Sequence, residues 1–531
     1  MAIDSTTENL RTHTERAAAP VGTLPNQSTP SNIYSPSEQD KHVVPEAPHS
    51  IFDRRQKWLI VTIVSTAATF ITVSGFASNI YFPALPTIAS DLNVSLELVD
   101  LTVTSYLIFQ GLAPSLWGPI SDVRGRRIAY LLTFLVFLGA CIGLAQTKNY
   151  ASLIVLRCLQ STGSASTIAI GSGVIGDITT REERGGFMGI FQAGLLVPVA
   201  AGPVIGGAVA GTLGWRAIFW VLTAYSGAFL LAMLVLLPET LRSLVANGSH
   251  TKSSNVLTKY PLVIYQRRTK VEWDPNDTPP QTTRKHIDLT GPFRILTSRD
   301  AAPIIVFLAI YYAVWQMSIT AMSSLFKERY GLSEIHIGLT FIANGVGSMV
   351  GTLITGKILD LDYRKVKSKF EAQQDPEGPE RVVDERSFPL EKARLRLIPI
   401  FAGVQCLSLI LFGWSIQYTV HISVPIISTF ITGWTVVSMQ SVIMTYLVDT
   451  FHDRSAAASA SINLARCLFA AGGTSFVMPL IDAVGAGVCF TICAAVQVVS
   501  LAAPLIQVKY AGAWRRAAEE KKRKMEGLAQ S

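Results

Sequence analysis

Along this chain the charged residues vanish from windows of about 20 residues and crowd into the intervals between them. The apolar windows run from Trp58 to about Tyr81, then Leu98–Trp117, Ile128–Ala145, Ser152–Ile175, Phe187–Ala210 and Trp215–Leu237. A second series follows at Pro303–Leu325, Ile337–Leu359, Leu395–Ser415, Ser423–Leu447, Ala456–Met478 and Gly485–Gln507. Each is long enough to cross a hydrocarbon layer of roughly 30 Å as a helix. A soluble core would instead mix amphipathic helices with alternating strands. The pattern therefore predicts an all-α integral membrane protein with about twelve transmembrane helices.

The intervals give the orientation. Arg54, Arg55 and Lys57 precede the first window, whereas the loop after it carries Asp91, Glu97 and Asp100 and no Lys or Arg. Alternate loops are basic from there on, through Arg181 and Arg184, the long connector, Arg364 to Arg396, Arg454 and the C-terminal Arg515, Arg516 and Lys521 to Lys524. Basic loops stay cytoplasmic, so both termini are predicted there. The net charge of +8 is spent on this asymmetry and does not form a groove for nucleic acid. Residues 1–51 are polar and aperiodic and read as a disordered tail without the apolar core of a secretory signal. Residues 52–239 and 303–508 form two six-span halves, 240–302 a cytoplasmic linker, and 509–531 a basic tail.

The stretch Gly118 to Arg127, GPISDVRGRR, joins the second and third windows as a short charged turn. Gly118 and Gly125 suit close packing and tight turning, Asp122 can accept charge-assisted hydrogen bonds, and Arg124, Arg126 and Arg127 hold the turn on the basic side. In spacing and position it resembles motif A of the major facilitator superfamily, with the first basic residue one place late at Arg124. Gly356 to Asp360 followed by Tyr363, Arg364 and Lys365 repeats it weakly after the second span of the second half. Repeated halves around a central path are a common plan of secondary transporters. The resemblance implies the major facilitator fold, two pseudo-symmetric six-helix bundles.

Other resemblances follow. Arg157, Gln160 and Gly163 in LRCLQSTGSAS match motif B of proton-linked facilitators, which implies a part in proton coupling. A cation at membrane depth costs on the order of 3 kcal/mol or more, so Arg157 either faces a polar cavity or snorkels to the interface. Gly194, Pro198, Gly202, Pro203, Gly206 and Gly207 recur at three- to five-residue spacing and make a thin helical face. AGPVIGG followed by GWRAIFW resembles motif C of drug:proton antiporters, with Pro198-Val199 where a Gly-Pro pair is usual. With the Pro238-Glu239-Thr240 triplet and the segment around Phe326 to Lys365, the chain is similar from Trp58 to Gln507 to the fungal twelve-span drug:proton antiporters, near the quinidine-resistance and dityrosine-exporter branch.

Asp122, Arg127, Asp177 and Arg184 lie on one membrane face and are expected to form an ion-pair latch; unpaired interfacial charges are the alternative. Asn344, and Asn463 with Arg466 three residues on, are cavity or interhelical polar groups. Asn79, Tyr81, Phe82, Tyr106, Gln110 and Gln192 form a candidate substrate path or, for the aromatics, an interface belt. No carboxylate stands in the middle of a span, so Asp100, Asp177, Asp449 or a substrate carboxylate is left for proton coupling. Two cavity arginines without a central acid favour anionic or amphipathic substrates.

Cys141, Cys158, Cys406, Cys467, Cys489 and Cys493 all fall inside windows as small apolar residues, which argues against disulfides and zinc. No phosphate loop, HExxH pair or GxSxG elbow stands out, so no enzyme, metal or cofactor is expected beyond a proton gradient. Asn93-Val94-Ser95 is a weak glycosylation sequon. The reading is a monomeric, plasma-membrane exporter of a small organic molecule, drug, secondary metabolite or organic acid, by proton antiport. A vacuolar membrane, a proton symporter for uptake and a non-transporting sensor are the alternatives.

Overall fold

The computed structural model describes residues 50–71, 76–180, 183, 187–188, 191, 197–249, 259–269, 291–299, 301–373, 390–451 and 455–510. The first half is built from α1 (Arg54–Ile71), α2 (Phe76–Asn79), α3 (Leu85–Asp91), α4 (Leu96–Arg124), α5 (Arg126–Ala145), α6 (Tyr150–Ile178), α7 (Val197–Leu213) and α8 (Trp215–Leu236). Three short helices follow, α9 (Arg242–Val245), α10 (Leu262–Arg268) and α11 (Gly291–Leu296). The second half comprises α12 (Ala302–Tyr330), α13 (Glu334–Gln373), α14 (Leu390–Leu395), α15 (Ile398–Gln417), α16 (Ser423–Thr450), α17 (Ser455–Val484) and α18 (Ala486–Ser500). Among the described residues ten helices are long and apolar enough to cross a bilayer; α1 with α2, and α7, supply the first and fifth segments of the expected order.

Local chemistry sets the ends of these helices. Ser95 caps α4 by accepting Leu98 N–H at 3.4 Å, and Asn149 caps α6 by accepting Ser152 N–H at 2.9 Å. Gly331, at φ 64°, closes α12 in the left-handed region.

The two halves use the same packing plan. α4 and α5 pack on α6 and α5 on α8; in the second half α13 and α15 pack on α16 and α15 on α18. The seams between halves are likewise paired, α7 against α13 and α4 against α17. In lipid, apolar faces gain little by leaving one apolar medium for another, so close backbone approach and hydrogen bonds must hold such seams. The bundle end that carries Arg126, Arg127, Arg394 and Arg396 is called the basic face below, and the opposite end the far face.

Three expectations need correction, and one helix is longer than its apolar window. The stretch from Gly118 to Arg124 is not a turn: α4 continues through it, and the chain reverses at Gly125 alone. A Cβ on Gly118 would meet nothing within 4 Å, so close packing is not its role. The eighth span ends where its apolar window does, at Ile358, but its helix α13 runs on to Gln373 and projects beyond that window. The linker is more than a solvated hinge where it is described. Ile51 N–H donates to Asn247 O at 3.0 Å, Gln56 Nε2 to Tyr265 O at 3.1 Å, Tyr265 Oη to Leu236 O at 2.8 Å, and Ser461 Oγ to Pro292 O at 2.8 Å. Its buried Leu262 and Tyr265 side chains supply an apolar footing that the flanking charges hide in the sequence.

Candidate functional site

Each half places one arginine at membrane depth. Arg157, in α6, is 1% exposed. Its guanidinium lies 4.1 Å from the Tyr81 ring centre and 4.2 Å from that of Tyr106, and Nη1 donates to Gln160 Oε1 at 2.6 Å. The two tyrosines come from the end of the first span and from α4, and each has its own anchor, Thr102 for the Tyr81 hydroxyl and Ser164 for that of Tyr106. Aromatic faces stabilise a desolvated cation by about 2 kcal/mol each, which offsets part of the burial cost. Arg157 therefore does not snorkel, and Tyr81 and Tyr106 are not an interface belt.

Arg466, in α17, is only half-buried. Nη1 donates to Gln440 Oε1 at 2.9 Å, Nη2 to Asn463 Oδ1 at 3.0 Å, and Cζ lies 4.9 Å from the Tyr312 ring centre. Asn463 also donates across the seam to Gln110 O at 3.3 Å, tying this arginine to α4 of the other half. Among the described residues, neither arginine forms an ion pair with a carboxylate. Asn344 stands apart from this group: its Oδ1 accepts the Trp315 indole N–H at 2.9 Å, an interhelical tie.

The far face is closed between the halves. Thr87 Oγ1 donates to Glu334 Oε1, and Phe82 stacks on Phe341 with ring centres 6.1 Å apart. Thr104 meets Thr474 at 3.1 Å and Ser475 at 3.3 Å. The glycine face of α7 completes the seal in two directions. Gly202 and Gly206 lie against Asn79 and Ile80, while Gly207 lies against the Glu334 backbone and Pro203 against Gly338. A Cβ on Gly206 or Gly207 would run into backbone, so the spacing seen in the sequence is used for contact. Gly194 and Gln192 lie outside the described residues, as does the side chain of Pro198. Asn93 is exposed in the turn before α4, at φ 51°. Nearby, Asp91 accepts from Arg216 Nη1 at 2.7 Å and Trp215 Nε1 at 3.0 Å, and these two hydrogen bonds hold its carboxyl below its ordinary value.

The latch forms on the basic face with one exchange of partners. Arg126, not Arg127, bridges Asp122 at 2.5 Å and Asp177 at 2.9 Å. The register explains this: Asp122 and Arg126 are one turn apart, whereas Arg127 points to the other side. There it donates to the carbonyls of Leu234 and Tyr260, tying α5 to α8 and the linker. Arg184 lies outside the described residues. Glu183 is paired with Lys57 at 2.7 Å, a contact that lowers its carboxyl from the ordinary value.

Sequence reasoning missed Glu239. Its carboxyl accepts the N–H groups of Arg126 at 2.8 Å, Arg127 at 3.2 Å, Thr240 at 3.0 Å and Leu241 at 3.0 Å, capping the start of α5. Gly125 leaves it room: φ is 109°, and a Cβ there would collide with the Glu239 carboxyl. Burial pushes Glu239 upward from its ordinary value, against the pull of those four N–H groups. The second half has a counterpart latch, also missed. Arg394 pairs with Asp449 at 2.9 Å, as Arg126 does with Asp177, and Arg396 pairs with Asp362.

Two six-span bundles with paired seams, a membrane-depth arginine in each and a charged latch at one end define a membrane protein of the secondary-transporter class. The Major Facilitator Superfamily model matches residues 67–474, and the chain belongs to that family. Relatives extend over nearly the full length. Citrate exporter 1 of Aspergillus niger is 37% identical over 523 residues, 98% of each chain. The MFS antiporter QDR2 of Candida albicans is 34% identical over 478 residues, 89% of this chain and 93% of the relative. Among solved structures, the xylose transporter XylE from E. coli, in a partially occluded inward open conformation, covers 86% of this chain and 99% of its own, with a TM-score of 0.57 and 15% identity. That likeness carries the fold alone.

Proposed function

We propose that the chain exports a small organic anion from the cytoplasm in exchange for protons, by alternating access between its two bundles. The observation that carries this reading is the pair of membrane-depth arginines, Arg157 and Arg466, with no carboxylate partner among the described residues. A cation held in a low-dielectric interior by neutral groups lacks a counter-charge, and an anionic substrate supplies one. Arg466 is the more open of the two and is the expected contact; Arg157 stays charged throughout and tunes the surrounding field. The similarity to citrate exporter 1 supports a carboxylate-bearing substrate, and the alternating basic loops support a cytoplasmic basic face at the cell surface. In this reading the sealed far face is the outer gate, and the Asp122–Arg126–Asp177 latch acts on the cytoplasmic side.

The test is export from cells with and without the protein, comparing radiolabelled citrate with a lipophilic organic cation at two external pH values. Expression is expected to lower retained citrate, and an uncoupler to restore it. Equal loss of the organic cation with no effect on citrate overturns the anion reading; lower retention that an uncoupler leaves untouched overturns proton coupling.

A further inference from the structure

The molecule places one acid where a proton carrier is needed. Asp100 is the fifth residue of α4, on the far-face side, and is 2% exposed. Neither carboxyl oxygen has a hydrogen-bond partner, and among the described residues it is the only buried carboxyl of which this is true. The other acids near membrane depth are accounted for. Glu239 takes four N–H groups, Asp177 takes Arg126, Asp449 takes Arg394 and Asp362 takes Arg396. A carboxylate sealed away from water with no donor costs several kcal/mol, whereas the neutral acid does not.

Its surroundings link that cost to movement. One turn along α4, Thr104 donates to the Asp100 carbonyl at 3.3 Å and meets Thr474 and Ser475 of α17 across the seam between halves. Asp100 thus sits one turn from a contact that joins the two halves in the closed far face. The titratable groups around it come from each neighbouring element. Glu97 acts on it from its own helix and Tyr81 faces it from the first span, with Arg157 of α6 on the Tyr81 ring. From α3, Asp91 is taken by Trp215 and Arg216; α17 presents the hydroxyls of Thr474 and Ser475. Among the described residues no cation touches Asp100.

We propose that Asp100 is the proton-binding group of the cycle and that its protonation licenses closure of the far face. The inference rests on the proton-coupled export reading and names the group that serves it. With the far face open, Asp100 meets the outer solution and an Oδ–H bond forms with a proton from that side. Closure buries the neutral acid; later the same bond breaks and the proton leaves on the cytoplasmic side, so the residue returns unchanged and no electrons move.

The test reads far-face closure without any substrate. Thr474→Cys is labelled in intact cells with a membrane-impermeant maleimide, and each rate is divided by that of Thr419→Cys, an exposed position, to remove the thiol's own pH response. With Asp100 present, the normalised rate is expected to be at least about fivefold faster at about pH 8 than at about pH 5. Asp100→Asn is expected to hold the slow rate at both pH values, and Asp100→Glu to keep the response. A pH response that persists in Asp100→Asn, or none in the parent, overturns the proposal; misfolding of the Asn variant is excluded if Thr419→Cys still labels at the cell surface. Citrate retention in the same cells separates the two readings. A labelling response without citrate export leaves Asp100 as the proton site and overturns the substrate, whereas citrate export without a labelling response overturns Asp100.

Discussion

Replacing Glu239 by Ala removes the acceptor shared by four backbone N–H groups. Those of Thr240 and Leu241 sit in a loop able to rearrange, but those of Arg126 and Arg127 are fixed at the start of α5. A buried N–H left without a partner costs about 1–3 kcal/mol, so the two together predict a loss of about 2–6 kcal/mol. Because burial of the carboxyl works against it, the lower end of that range is expected. Glu239→Gln keeps one acceptor oxygen and should lose about half as much. Gly125→Ala attacks the same cap from the other side, adding about 1–3 kcal/mol of backbone strain at φ 109° to the displaced carboxyl. The assay is thermal unfolding of the purified protein followed by tryptophan fluorescence. The expected order of apparent midpoint is parent, then Glu239→Gln, with Glu239→Ala and Gly125→Ala lowest. A Glu239→Ala midpoint within about 1 °C of the parent refutes the capping role.

Three further outcomes follow from the same contacts. Arg126→Gln leaves Asp122 and Asp177 facing each other and should destabilise by about 3–5 kcal/mol, with much of the loss recovered in the Arg126→Gln/Asp177→Asn double variant; a double-mutant cycle in thermal unfolding measures this. Gly118→Ala, in open space on a helix, should stabilise by the helix preference of about 0.5–1 kcal/mol and so raise the unfolding midpoint, while Gly207→Ala should lower it and slow citrate export, because its Cβ meets the Glu334 backbone. Asp91 is held below its ordinary value of 3.8, so the stability it contributes is present above that value and lost as pH falls through the lower folded one. Asp91→Asn should therefore unfold earlier than the parent at neutral pH, with the gap closing on acidification below 3.8.

How much of this was legible beforehand depended on the range of the physics involved. Span order, the glycine face of α7 and the two arginines all follow from local periodicity or from the cost of a single residue in lipid, and a sequence shows both. The exchange of Arg127 for Arg126 turned on whether Gly118 to Arg124 is turn or helix; once α4 continues, the one-turn spacing from Asp122 selects Arg126. Glu239 was visible only as part of a family triplet, since its partners lie 113 and 112 residues away. Tyr312 and Gln440, which hold Arg466, lie on other helices and left no local mark. The sequence leaves Asp100 as one of three acids available for proton coupling; its burial beside the seam is a tertiary fact.

The central claim is that the membrane-depth arginines provide the charge for an anionic substrate. Equilibrium binding of radiolabelled citrate to purified protein, with Arg466→Gln beside the parent, tests it most directly. The account predicts saturable binding that the Gln variant weakens by about 10–100-fold, as loss of one charge-assisted hydrogen-bonding partner of about 1.5–3 kcal/mol requires, with no competition by an organic cation. Equal affinity in both proteins, or displacement of citrate by the cation, would contradict it.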